Sequence, residues 1–380
     1  MKKIGIITYD TTVDNYGQVL QYLATQEFFK LLGYKAVLVH PKGWKKLSLG
    51  WFKSKAYGLK TKIKSLIKPN KKNDNNLHSE ELEKLSIFNH WNSITQKQEQ
   101  KHPRYFQNFK QKFFQHQSGS YNDIINSNYA AYCVGSDQTW SHADYYWLLG
   151  WTPKHTKRFS IAPSVGYRKY SERDIIPIRQ FFRYFNFITV RENSGIEFCH
   201  RCGYNNAIKV LDPTFLLSSE QYDSFADKQK NNKPYILIYL LGGEICESVE
   251  SIIDFCKKNG YDVKYVESQG RFEHVENKIF ATIGEWLSLV KNASYVLTNS
   301  YHGTIFAIIY RKPFLIFPLI NLMKDMNGRI HDLTDQFCLQ NRLYQGNFNQ
   351  LFQPIDWHIA ERKILKNKHI LTNLIKSLNL

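Results

Sequence analysis

The run Lys3-Ile4-Gly5-Ile6-Ile7-Thr8 leads into a helical pattern over residues 17–32, then Gly33, then Lys35-Ala36-Val37-Leu38-Val39-His40. A short apolar run closed by polar residues reads as a strand, and a glycine after the last periodic residue stops a helix. Strand, helix, glycine stop and strand make the opening of a βαβ unit, which needs a parallel sheet.

Downstream of this unit the texture changes over residues 41–103. Lys and Asn dominate there, as in Lys68-Pro69-Asn70-Lys71-Lys72-Asn73, with scattered Trp and Leu at helical spacing. This predicts a mobile, partly helical insertion, followed by a helix over residues 105–115. Regular patterning resumes with strands at 129–134, 158–162, 187–190 and 207–211, and helices at 172–184 and 194–202. The polar stretch 227–233 reads as a linker. A second cycle then brings strands at 235–240, 263–266, 295–298 and 314–317, with helices ending near 259 and spanning 284–291 and 302–310. Two strand–helix series of similar size predict an α/β protein of two Rossmann-like domains with parallel sheets, residues 1–228 and 229–355, and a cleft between them. A basic amphipathic helix over 359–378, within a tail at 356–380, is expected to pack back on the first domain or to lie on a membrane surface.

With 380 residues, 43% of them hydrophobic, the chain can bury a large core. Its 51 basic and 33 acidic residues leave a formal charge of +18, which bears on partners rather than on fold. Much of the excess falls at 42–72, as a local basic face; it is not spread over nucleic-acid-reading elements, so no nucleic-acid partner is expected. No run reaches the ~18 apolar residues of a membrane-crossing helix. The strand that begins at Ile4 leaves no room for a secretory leader. The six cysteines are sparse, and the chain reads as cytoplasmic with reduced thiols.

Ligands of open parallel sheets bind beyond the carboxyl ends of the strands, and polar clusters fall at several of these ends. Asp14-Asn15-Tyr16-Gly17-Gln18 opens the first helix, where free amides favour an anion or a polar substrate; simple capping by Asp14 or Asn15 competes with that reading. Gly135-Ser136-Asp137-Gln138 offers the Asp137 carboxylate as a proton acceptor for an attacking hydroxyl, against an Asx-turn that only shapes the loop. Arg191, in Thr189-Val190-Arg191-Glu192-Asn193-Ser194, suits a fork-like grip on phosphate or carboxylate, against a salt bridge to Glu192 or Glu197. Thr298-Asn299-Ser300-Tyr301-His302-Gly303-Thr304 joins an apolar strand to an apolar helix. His302 is its candidate acid or base, and Gly303 would allow a ligand close to the backbone. Lys312 and Arg329 follow as cations able to reach a bound anion. Cys199 and Cys202 form a lone CxxC, and Leu241-Gly242-Gly243-Glu244 is no dinucleotide fingerprint. No metal site is expected.

Taken in order, Asn15-Tyr16-Gly17, Gly135-Ser136-Asp137-Gln138, Ser160-Ile161-Ala162-Pro163-Ser164, Val190-Arg191-Glu192, Val210-Leu211-Asp212-Pro213-Thr214, Ser300-Tyr301-His302-Gly303 and Lys312-Pro313-Phe314 resemble the segments of the polysaccharide pyruvyl transferases. The resemblance covers almost the whole chain outside the 41–103 insertion and the tail. It implies a GT-B-like fold with the active site between the domains, phosphoenolpyruvate as co-substrate with no bound cofactor, and a pyruvate ketal formed on a hexose of a surface polysaccharide. The family's catalytic histidine corresponds to His302 and its arginine after the middle strand to Arg191. Many members carry Arg two residues before that histidine, where this chain has Ser300; Arg329 is expected to supply the missing charge.

On this reading His302 and Asp137 are catalytic, while Arg191, Arg329, Ser300, Gly303 and Lys312 bind the donor. Asn15, Tyr16 and Gln138 would bind the acceptor, a lipid-linked oligosaccharide presented at the anionic inner face of the plasma membrane. Two other functions compete: a nucleotide-sugar-dependent glycosyltransferase on the same fold, and a non-catalytic polyanion-binding protein.

Overall fold

A computed structural model describes residues 1–42, 71–166, 168–228 and 233–380, with the backbone alone at 71–82 and 85. The first series runs β1 (Lys3–Ile7), α1 (Tyr16–Leu31), β2 (Lys35–Lys42), α2 (Lys71–Lys101), α3 (Phe106–Phe113), β3 (His116–Ser120), α4 (Tyr121–Asn126), β4 (Ala131–Val134), β5 (Lys157–Ser160), α5 (Glu172–Phe182), β6 (Thr189–Val190), α6 (Asn193–Arg201), β7 (Ile208–Lys209) and α7 (Ser219–Asp223). The second comprises β8 (Tyr235–Tyr239), α8 (Val249–Lys258), β9 (Asp262–Val266), α9 (Ile283–Asn292), β10 (Tyr295–Thr298), α10 (Tyr301–Ile309), β11 (Phe314–Ile316), α11 (Gly328–Phe337) and the long last helix α12 (Trp357–Ser377).

Every ladder between these strands is parallel. The first sheet has the order β3-β2-β1-β4-β5, and a parallel bridge from Phe159 to Phe187 continues it toward the β6–β7 pair. This is the doubly wound order, with its switch point between β1 and β4. The second sheet has the order β11-β10-β8-β9, so its strand order reverses between β8 and β10. All five residues of β8 are buried, as expected of a strand covered on both faces. The chain is therefore an α/β protein with two Rossmann-like parallel sheets.

The carboxyl edges of the two sheets meet at an aromatic joint. Tyr16, at the start of α1, stacks on Trp286 at 5.0 Å and 7°, lies edge-on to Tyr239 at 5.7 Å, and donates its hydroxyl to the Ala281 carbonyl at 2.8 Å. One apolar core runs through this joint from α1 into α9 and α10.

Three features depart from the sequence-based expectation. A polar edge strand, β3, had no apolar signal to reveal it. Residues 71–101 form one 31-residue helix that packs across both halves. Thr95 donates to Asp14 Oδ2 at 3.1 Å on the first-sheet side, and Gln98 donates to Glu267 Oε1 at 2.9 Å on the second. The expected helix over 105–115 is shorter, Phe106–Phe113. Most of the basic run at 42–72 and part of the expected linker lie outside the described residues. Helix α12 rests against the first series through Asn367 Oδ1, which accepts from the Leu211 amide at 2.8 Å. No helix of the described residues is long and apolar enough to cross a membrane.

Candidate active site

The site is organised by a residue assigned no role from sequence, Asp212. It ends the stretch after β7, and its Oδ1 accepts from the Thr214 amide at 3.0 Å and the Thr214 hydroxyl at 2.8 Å. Its Oδ2 takes three partners: Arg191 Nη1 at 3.0 Å, Ser136 Oγ at 3.0 Å and His302 Nε2 at 3.6 Å, just beyond hydrogen-bond range. Burial alone would push this carboxyl up, but His302, Arg191 and the Thr214 amide outweigh it and hold its pKa well below the ordinary value. One carboxylate thus ties the strand-end loops of the first sheet to the histidine of the second.

Arg191 follows β6 and is sealed from solvent. Besides Asp212 it meets Glu192, Nε to Oε2 at 3.4 Å, and Glu192 is in turn fixed by the Ser164 hydroxyl at 2.6 Å and the Val165 amide at 3.0 Å. The salt-bridge reading is therefore part of the structure, yet it does not exhaust the guanidinium, because Arg191 Nη2 has no partner. Its Cζ lies 4.5 Å from the centre of the Tyr301 ring. Arg329, at the start of α11, lies 6.0 Å from the same ring and makes no ion pair among the described residues. Burial and the like charge of Arg191 both lower the Arg329 pKa. Two guanidinium groups held on one ring, with a free donor edge, make a place that an anion would stabilise.

His302 sits in the first turn of α10, which Ser300 caps by accepting from the Gly303 amide at 3.2 Å. Its Nε2 is buried without a hydrogen-bond partner. The opposite side of the ring presses on α1, where a Cβ on Gly17 would lie 2.0 Å from His302 Cγ and Nδ1. Asp137 has left-handed backbone, φ 69°, and its Oδ2 accepts from Gln18 Nε2 at 3.0 Å. Asp137 reaches both arginines electrostatically.

The predicted residues thus divide. Arg191, Arg329, His302 and Asp137 are brought to one region. Ser300 stands beside them, but its hydroxyl is used as the helix cap. Gly303 turns inward: a Cβ there would meet Thr298 Oγ1 at 2.5 Å, so the glycine serves helix–strand packing and not ligand approach. Tyr16 is fully buried in the joint and offers no surface to an acceptor. Asn15 caps α1, accepting from the Gln18 amide at 3.1 Å, while Gln138 lies on the loop rim over Gly166. Lys312 is not brought to the cluster. It precedes β11, whereas His302 follows β10, and the helix between them carries the chain ~13 Å back to the amino edge of the sheet; burial and Lys291 lower its pKa there. Sequence reasoning missed Asp212, Gly17, Glu192 and Tyr301 as site residues. Among the described residues, no three His, Cys, Asp or Glu side chains are grouped to hold a metal.

A family model described as polysaccharide pyruvyl transferase matches residues 15–319, a span that holds His302, Asp212, Arg191 and Asp137. The chain belongs to the polysaccharide pyruvyl transferase family. A search of curated proteins gives no match. Among solved structures, the UDP-GlcNAc 2-epimerase from Neisseria meningitidis bound to UDP-GlcNAc is similar at 10% identity and TM-score 0.46, over 99% of this chain and 100% of that one. The spinosyn forosaminyltransferase SpnP gives 11% and 0.44 over the whole of both chains, and Arabidopsis thaliana UGT89C1 complexed with UDP gives 9% and 0.48, again over both in full. These likenesses are too distant to carry weight, and the fold of this pyruvyl transferase family member rests on its own strand orders.

Proposed function

We propose that this chain transfers the pyruvyl group of phosphoenolpyruvate onto two hydroxyls of a hexose in a surface-polysaccharide precursor, releasing phosphate and leaving a ketal. The observation that carries this reading is the convergence of Arg191, with its free Nη2, and His302 on Asp212 Oδ2. Arg191 and Arg329 would hold the donor's phosphate and carboxylate. His302, whose Nε2 lies 3.6 Å from Asp212 Oδ2, delivers a proton to the methylene carbon, and C2 becomes electrophilic. A sugar hydroxyl attacks C2 and gives its proton to Asp137. The C2–O bond to phosphate breaks, a second hydroxyl closes the ketal, and its proton leaves with the phosphate. Pre-aligned charge and positioned groups lower the barrier.

The nucleotide-sugar reading has less support. In the second sheet the β8/β10 switch point is closed by the chain itself. Asn299 pairs with Leu241 both ways, at 2.6 and 2.9 Å, and Trp91 of α2 packs against Gly242 and Gly270. The division into an acceptor-side unit near 1–228 and a donor-side unit near 229–355 belongs to the same proposal, as does peripheral attachment to an anionic membrane through the +18 charge. Incubation with phosphoenolpyruvate and a panel of lipid-linked or nitrophenyl hexosides tests the reaction. Phosphate release coupled to a mass gain of one pyruvate ketal is expected; release of nucleotide from a nucleotide sugar, with phosphoenolpyruvate inert, would refute it.

A further inference from the structure

Tyr9 follows β1 and Trp147 lies in the segment after β4, and their rings meet with centroids 4.7 Å apart at 48°. These two strands flank the reversal of strand order in the first sheet, so the aromatic pair stands over that sheet's switch point, where doubly wound folds take ligands. Both rings are half-buried, whereas Trp140 and Trp151 of the same segment are sealed in the core. The Trp147 backbone is fixed from both sides. Asp144 Oδ1 accepts from the amides of Tyr146 and Trp147 at 2.9 and 3.2 Å, and the Trp147 carbonyl accepts from Trp140 Nε1 at 3.2 Å. Tyr146 supports the ring edge-on at 4.9 Å.

Polar groups border the pair. The Asp10 carboxylate lies 3.2 Å from His40 Nε2, and both side chains are half-buried. Lys110, the cation beside Asp10, donates to the backbone carbonyls of Asp10 and Thr12. The neighbouring Thr8 hydroxyl donates to the Ser136 carbonyl at 2.9 Å, which sets Tyr9 next to the loop that carries Asp137.

We infer that Tyr9 and Trp147 form the platform for a pyranose ring of the acceptor saccharide, with Asp10 and His40 hydrogen-bonding its hydroxyls. The apolar C–H face of a pyranose suits the negative face of an aromatic ring, and ionised carboxylates bind hydroxyls strongly. A neutral polyol fits better than a nucleotide, since Lys110 is already committed. The inference rests on the proposed reaction for the word acceptor; saccharide binding itself does not depend on it.

The test is saturation-transfer NMR with methyl hexopyranosides, without phosphoenolpyruvate, alongside acceptor kinetics. Wild type is expected to bind at least one hexopyranoside. Trp147→Ala is expected to weaken that binding and raise the acceptor KM by tenfold or more, with the KM for phosphoenolpyruvate unchanged and Trp147→Phe close to wild type. Tyr9→Leu, which keeps apolar bulk but loses the ring, repeats the test if Trp147→Ala does not fold. Affinity within twofold of wild type in folded variants, or no hexopyranoside bound by wild type, overturns the platform. Binding that depends on both rings, with phosphoenolpyruvate inert, supports the platform and refutes the pyruvyl transfer instead.

Discussion

Gly17 and His302 touch across the junction of the two sheets so closely that any side chain on the glycine would enter the imidazole. A Cβ there would lie 2.0 Å from Cγ and Nδ1 and 2.5 Å from Cβ of the histidine. Gly17 also sits inside α1, where alanine is intrinsically better by about 0.5–1 kcal/mol. Gly17→Ala therefore sets local propensity against the position of His302. We expect pyruvyl transfer to fall by about 10²-fold or more, and the overlap with the ring and Cβ of His302 to lower the melting temperature as well, at a cost of about 1–3 kcal/mol. Parallel kinetics and thermal melts check this; activity within a few-fold of wild type would mean that the ring tolerates displacement.

Asp212 should be the most sensitive carboxylate in the site. Asp212→Asn leaves Arg191 buried with weaker compensation and is expected to cost about 3–5 kcal/mol. The sign of its pH dependence follows from a native pKa held below the ordinary 3.8. The stabilisation is fully present above pH 3.8 and is lost as pH falls through the native value. Denaturant titrations across the acid range should show a steep loss in wild type that is reduced in Asp212→Asn.

The two site aspartates differ in how far the sequence could expose them. Asp137 follows an apolar strand directly and declares itself. Asp212 looks like a turn residue, and half of it is one, since Oδ1 binds Thr214 next door. The other oxygen works entirely through Ser136, Arg191 and His302, which sequence proximity does not bring near it. The fold was legible wherever burial writes an apolar pattern, as in β1, β8 and β10. It was not legible in β3, whose His116-Gln117-Ser118-Gly119-Ser120 lies at a half-exposed sheet edge. The long helix α2 is polar along most of its length, and of its described side chains only Lys84 and Thr95 are fully buried, so its regularity was masked by composition. Lys312 failed for a geometric reason: closeness in sequence to His302 is undone by the intervening helix.

Asp14 should behave oppositely to Asp212. Burial raises its pKa above 3.8, and Arg104 and the Thr95 hydroxyl only partly offset this. The charged form is therefore disfavoured in the native state, and stability declines as pH rises from 3.8 through the native value. Asn keeps an acceptor for Thr95 without the charge. Asp14→Asn is expected to be at least as stable as wild type at pH 7, with the difference vanishing below pH 3.8, as read by melts across that range.

Trp91 fastens α2 over the second sheet, its ring against Gly242 and Gly270. Trp91→Ala should lower stability by about 2–4 kcal/mol, the range for truncating a large, partly buried side chain. It should also release the amides of residues 83–101 to faster hydrogen exchange while those of β1 and β4 stay protected. Uniform loss of protection would show that α2 is not a separately held element.

The central claim is that His302 delivers a proton to the donor's methylene carbon while Arg191 grips its anionic groups. Running the reaction in deuterium oxide and reading the ketal methyl by NMR tests it most directly. One solvent-derived deuterium per methyl is predicted, with turnover at least about 10²-fold slower in His302→Ala. An unlabelled methyl, or a His302→Ala variant within about tenfold of wild type, would contradict it.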